Sequence, residues 1–220
     1  CNCPVDGDNA GARLGAIMGE LAQAGRDKMT IISSPVIASF GDWVEQLVAE
    51  STGKDGTGIL PVVGEPPGAP EVYGNDRLFV HIRLDGDDTH DAALAALEKA
   101  GHPVVTMHMK DAYEISGQFF LWEMATAIAG ARLGIQPFDQ PNVEAAKVLA
   151  REVVAAYMET GMLPAGAKAP LSDDALKTFL NQARPGDYVS IQAYVQPTPA
   201  TDGALHDLRL RLRDTLKLAT

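Results

Sequence analysis

Two polar constellations in the chain have the residue types and spacing for chemistry. The first is the stretch Phe138 to Lys147, Phe-Asp-Gln-Pro-Asn-Val-Glu-Ala-Ala-Lys. Pro141 suits the first position of a helix, and Gln140 before it is pushed towards an extended, cap-like conformation, which places a polar amide at the helix entry. Two turns on, Lys147 points roughly back along the same side, with Glu144 between them. The plainer alternative is a surface helix with a Glu144/Lys147 pair worth about 0.3 kcal/mol. The second constellation is Glu50, four residues after Gln46, so that both lie on one edge of an apolar stripe beside Trp43, near a helix end. A carboxylate at an apolar boundary can have its pKa raised towards working pH, which proton abstraction next to a carbonyl requires. Here the alternative is a Glu50/Lys54 surface pair.

Other polar clusters read as structural. Asp85-Gly-Asp-Asp-Thr-His-Asp91 lacks calcium-loop spacing and leads straight into a helical pattern, where caps and first-turn acids belong. His102 and His108 flank or lie in a strand, where packed or edge histidines are the rule. No metal or cofactor is expected. A net charge of −11 over 220 residues, with Lys and Arg scattered among more numerous carboxylates, gives no basic face for a phosphate backbone, so no nucleic-acid partner is expected. An anionic small molecule needs only one or two local cations or helix N-termini. Cys1 and Cys3 are too close to staple a fold and lack partners for zinc, so a reduced, cytoplasmic setting is the default. The most apolar segment, Phe119 to Ile135, is broken by Glu123 and Arg132; it reads as a core helix, with no membrane span expected. The N-terminus, a polar loop without methionine, suggests a piece of something longer.

The elements that must position these residues can be placed along the chain. Asn9 to Ala24 reads as a helix whose Gly11, Gly15 and Gly19, four apart, allow close packing on a sheet. Met29 to Ser33 is a first buried strand, ended by Ser33-Ser34-Pro35. Phe40 to Glu50 is a helix with Phe40, Val44, Leu47 and Val48 on one stripe and Gly53 placed to stop it. Ile59 to Val63 is a second strand; the Pro/Gly-rich loop Gly64 to Gly74 after it is too long for a mere connector and is suspected of function. Strands at Leu78 to Leu84 and Pro103 to Met109 bracket a helix at Ala92 to Lys99. A nearly all-round apolar helix, Ile115 to Leu133, reads as central. The stretch holding Lys147 continues as a helix to about Met158, and Met162 to Pro170 is linker-like. Then come a helix over Leu171 to Ala183, a strictly alternating half-exposed strand over Tyr188 to Val195, and a helix over Gly203 to Leu218.

This order predicts an α/β fold, a doubly wound parallel sheet covered on both faces. Residues 1–160 would form it and 161–220 a helix-strand-helix extension. Ligands in such sheets gather outside the carboxyl ends of the strands. Those ends fall at Ser33-Ser34 and at the Gly64 loop, which would wall a pocket.

The two constellations also carry a resemblance. Ala49-Glu50-Ser51-Thr52-Gly53-Lys54 resembles the Glu-Ser-Asn-Gly-Lys segment of phosphoglucose isomerases. Phe138 to Lys147 resembles their signature Phe-Asp-Gln-x-Gly-Val-Glu-x-x-Lys, in the same order along the chain. With Ile32 to Leu47, Gly64-Glu65-Pro66 and Phe119 to Glu123, nearly the whole chain is most similar to the isomerase half of bifunctional transaldolase/glucose-6-phosphate isomerases. The resemblance implies the second of two sugar isomerase (SIS) domains, with a sugar phosphate as substrate, the first SIS domain as partner, and a possible homodimer. It implies Glu50 as the base shuttling a proton between C1 and C2, Lys147 as the active-site lysine, and Gln46, Gln140 and Ser51 at the sugar. Two departures stand out: Asn142 replaces a glycine, and Arg132 an aliphatic residue. No histidine aligns with the family's ring-opening histidine, His81 being out of register. The phosphate loop of the first SIS domain is absent, so a fragment inactive alone is implied; the alternative is a non-catalytic, sugar-phosphate-binding SIS regulator.

Overall fold

The computed structural model describes residues 9–139, 141–164 and 172–220. Compact packing divides the chain into two units, one running to Pro137 and resuming at Pro185–Thr220, the other Phe138–Arg184. Thus the helix after residue 140, expected with the sheet, falls in the second unit, and the segment from Pro185, expected in an extension, packs with the sheet.

The first unit is built on a four-stranded parallel sheet in the order β2-β1-β3-β4, from β1 (Lys28–Ser33), β2 (Leu60–Val62), β3 (Arg77–Leu84) and β4 (Val104–Met109). Parallel strands need crossover connections; α2 (Phe40–Thr52) joins β1 to β2 and α3 (Asp91–Lys99) joins β3 to β4, while α1 (Ala10–Gln23) precedes β1 and α4 (Ile115–Leu133) follows β4. Alternation along the strands sorts the two faces. Met29, Ile31, Leu78, Val80 and Ile82 pack with Leu14, Met18, Val44, Val48 and Trp122 of α1, α2 and α4. On the other face Ile32 and Phe79 pack with Tyr73 and with Leu94 and Leu97 of α3.

The glycines of α1 serve a helix, not the sheet. A Cβ on Gly15 would stand 2.3 Å from the Ala125 carbonyl oxygen of α4, and one on Gly11 2.9 Å from that of Leu121. A Cβ on Gly19 would stand 2.6 Å from the Cβ of Arg132. Arg132, the departure from an aliphatic residue, reaches across this pair to Glu20, Nε to Oε1 at 2.6 Å. Nor is α4 central all round: Trp122, Ala125 and Ala129 are buried, whereas Phe120 is 53% exposed.

The alternating segment from Tyr188 to Val195 forms no strand. Tyr188 makes one parallel bridge to Ala219, and the Val189 N–H donates to the Ala219 carbonyl at 2.9 Å. Between them α7 (Pro199–Leu216) starts earlier than its apolar pattern implies, because Thr198 and Thr201 form a capping box with Pro199 just inside it.

The second unit contains α5 (Pro141–Thr160) and α6 (Asp173–Leu180). Ser172 caps α6, its hydroxyl accepting from the Ala175 N–H at 3.2 Å. Residue 142, where asparagine replaces the glycine of the signature, is helical. Among the described residues, no helix is long and apolar enough to cross a membrane.

Candidate active site

Two places in the first unit have the makings of a site, one at each end of α2. As the crossover between β1 and β2, α2 runs antiparallel to the strands, so its first turn lies at their carboxyl ends and its last turn at their amino ends.

At the carboxyl ends lies a cleft of about 570 Å³, lined by Ile31–Ser33 of β1, the first turn of α2, Val63–Pro67, His90 and His206. Ser33 and the Gly64 loop therefore wall a pocket, as expected. The loop is held by charge. Glu65, 3% exposed, lies between two guanidinium groups: Arg77 of β3 at 3.8 Å and Arg213 of α7 at 3.6 Å. Arg77 also donates to Thr30 Oγ1 at 2.7 Å and to the Leu218 carbonyl at 3.2 Å. Arg213 donates to the Pro66 carbonyl at 2.9 Å and Arg209 to that of Val63 at 2.6 Å. Both Arg77 and Arg213 stack over Tyr73, whose hydroxyl accepts from the Gly68 N–H at 2.7 Å. Burial pulls Arg77 below the ordinary guanidinium value and pushes the Tyr73 phenol up.

Near the cleft, His90 has buried His81 as a neighbour, the ring centres 6.3 Å apart, and burial holds His81 below the usual imidazole range. His102 is buried against Tyr73 and Phe79 and is likewise lowered by burial. The acids of the Asp85–Asp91 segment are engaged: Asp91 receives two 2.8 Å bonds from Arg83. Hydrogen bonds from Ser34 and Thr89 hold the Asp87 carboxyl down to about 2. Among the described residues no three metal-ligating side chains converge.

At the amino end stand the residues around the first motif along the chain, Ala49 to Lys54, the second being Phe138 to Lys147. Glu50 and Gln46 are exposed on the last turns of α2, and Ser51 is half-buried. On α2, burial raises the Glu45 carboxyl, with Asp42 adding to the effect. The turn that leads from Glu50 into β2 is tightly built. Fully buried Thr52 donates to the Val48 carbonyl at 2.7 Å and accepts from the Ile59 N–H at 2.9 Å, tying the helix end to the entry of β2. Lys54 and Thr57 exchange backbone bonds of 3.1 and 2.9 Å across Asp55 and Gly56, both at positive φ, a turn that suits the Asp-Gly pair. Lys54 itself is 5% exposed, and its ammonium donates to the Gln136 carbonyl at 2.7 Å. Thus the first motif grips the chain two residues before the second begins. Spacing missed this contact, because it joins two turns 82 residues apart.

Of the second motif, Gln140 lies outside the described residues. Lys147 is exposed on α5, and Glu144 pairs with Arg151 at 2.6 Å in place of the Lys147 partner its spacing offered. Lys147 belongs to the second unit and Glu50, Gln46 and Ser51 to the first.

The chain is similar to glucose-6-phosphate isomerases. It shares 27% identity with that of Lactobacillus helveticus over 148 residues, 50% of this chain and 33% of the relative. With that of Enterococcus faecalis it shares 26% over 179 residues, 64% of this chain and 40% of the relative. With that of Pediococcus pentosaceus it shares 29% over 151 residues, 51% and 34% of the two. The chain thus spans a third to two fifths of the length of these curated relatives. No family model matches it. Among solved structures, a hypothetical protein from Thermus thermophilus superposes with a TM-score of 0.52 at 20% identity, over 66% of this chain and 49% of that one. That likeness concerns the fold alone.

Proposed function

We propose that this chain carries the base-bearing SIS domain of an aldose–ketose isomerase that interconverts glucose 6-phosphate and fructose 6-phosphate. The observation that carries this is the placement of Glu50. It is exposed on the last turn of α2, in the motif that resembles phosphoglucose isomerases, and that motif's lysine is bonded to the chain just before the Phe138–Lys147 motif.

In this mechanism the open-chain aldose presents its C2–H to Glu50. The carboxylate takes the proton, the C–H electron pair becomes the C1–C2 double bond, and O1 takes up negative charge and then a proton, giving a cis-enediol. Glu50 returns its proton to C1 while the hydroxyl on C2 becomes the ketone, so the step is balanced with no net gain or loss. A carboxylate base within reach of the carbon contributes about 10²–10⁴-fold. Lys147 supplies a cation for the oxygen that carries charge in the enediolate. Gln46, Ser51 and Gln140 hold sugar hydroxyls. The phosphate grip and the ring-opening group come from outside this chain, in keeping with its share of the relatives' length, and a transaldolase half belongs to the same proposed parent protein.

The test is a coupled assay for fructose 6-phosphate conversion on the full-length protein, followed by NMR for solvent deuterium entering C2 of glucose 6-phosphate. Turnover with deuterium uptake is expected. Binding of the sugar phosphate with neither turnover nor exchange would replace the isomerase by a non-catalytic sugar-phosphate sensor.

A further inference from the structure

We propose that Lys54 is a positioning residue for Glu50: its buried ammonium, bonded to the Gln136 carbonyl, fixes the turn that closes α2 and thereby the last helical turn that presents the base. The proposal rests on Glu50 acting as the base.

An ammonium taken out of water is stable only where it keeps strong acceptors. Lys54 is 5% exposed, and the Gln136 carbonyl oxygen accepts from its Nζ at 2.7 Å. The acceptor is itself held in place. Gln136 lies in the turn after α4, where Gly134 adopts a left-handed cap and the Ile135 N–H donates to the Gly130 carbonyl at 3.0 Å. The next residue, Pro137, is buried and rides on Gly130 so closely that a Cβ there would meet the proline ring at 2.9 Å. The donor side is equally constrained. The Lys54–Thr57 turn is closed by two backbone bonds, and Gly53 turns out of the helix with its N–H on the Ala49 carbonyl at 3.0 Å.

Between the two sits the end of α2, whose last carbonyls lack helical partners and which has no basic residue in its last turn. Helix ends open most easily. Lys54 comes four residues after Glu50, so the anchor acts on the backbone one turn beyond the base. Glu50 stands on this last helical turn, so a shift of that backbone moves its carboxylate. A shift of about 1 Å in a reacting group can cost about 10²-fold in rate, so a loose last turn would depress turnover while leaving the sugar-binding groups intact.

The experiment compares Lys54→Met, Lys54→Gln, Lys54→Arg and Glu50→Gln in the full-length protein. Methionine keeps the stem and removes the donor, glutamine keeps a neutral donor, and arginine keeps a charged one. Expected for K54M is a fall in kcat of about 10- to 100-fold with KM within about threefold, and faster hydrogen exchange at the Gly53 amide. K54R should restore most of kcat, and K54Q should fall between them. K54Q and K54R carry the comparison if K54M does not fold. If E50Q abolishes turnover while the Lys54 variants keep kcat within about threefold, the positioning role is overturned and the base assignment stands. Turnover that survives E50Q would overturn both.

Discussion

At the carboxyl ends of the strands, α2 begins beside a cleft of about 570 Å³ whose wall is fastened by a buried glutamate between two arginines. At the amino ends the last turn of the same helix carries an exposed Glu50, four residues before a lysine that reaches a backbone carbonyl 82 residues away. The first region has a cavity and, among the described residues, a buried charge triad. The second has the motif. The crevice at the carboxyl end follows from parallel topology in any doubly wound sheet, and its ion triad answers the needs of a buried loop. The concavity is what the fold supplies, whereas the proposed base stands on a tightly braced turn.

The contrast implies that carboxyl-end substitutions act on stability and amino-end substitutions on turnover. The largest stability effect is expected from Arg77→Met. It leaves Glu65 buried beside Arg213 alone, and breaking a buried pair by removing one partner costs about 3–5 kcal/mol. Denaturant unfolding of the isolated chain should show that loss; a change under about 1 kcal/mol would mean that the triad behaves like a surface pair.

A smaller effect comes from pH. Burial lowers His81 and His102 in the folded state, so the unfolded chain binds more protons below the ordinary histidine value of about 6.5. Stability from these groups is full above that value and is lost as pH falls through their folded values. Thermal unfolding should therefore shift down by about 2–4 °C between pH 7 and pH 5.5, and His81→Phe should reduce the shift. A flat profile would contradict the burial assignment. Smallest of all is His90→Gln at the cleft, expected to leave turnover within about twofold, since a lining residue remote from the base contributes no proton transfer. A hundredfold loss there would move the chemistry to the carboxyl end.

Much of the fold was legible in the sequence because apolar runs bounded by Gly and Pro mark buried parallel strands. Four strands and their crossover helices fall within a few residues of their expected places. The failures share a cause, which is that sequence period says what an element can do and not what it meets. Gly11, Gly15 and Gly19 announced a close approach but not that α4 would be the partner. The alternation of Tyr188 to Val195 is strand-like, yet only Tyr188 finds a bridge, because a strand needs a neighbour along its whole edge. Phe119 and Phe120 made α4 look buried all round, although the sheet and its flanking helices cover only the side of Trp122 and Ala125. At the candidate site, the motif singled out Glu50, which is exposed on the last turn of α2. Spacing offered Lys54 only as a surface partner for it; the burial of Lys54 and its bond to Gln136 depend on two turns meeting in space.

The central claim, that the exposed Glu50 carboxylate on the last turn of α2 is the proton-shuttling base, is tested most directly by Glu50→Gln in the full-length protein, with kcat for fructose 6-phosphate conversion and Tm measured on the same preparation. A base at this position predicts a fall in kcat of about 10²–10⁴-fold with Tm unchanged within about 2 °C, as for an exposed substitution away from the core. Turnover within a few-fold of the unsubstituted protein would contradict it.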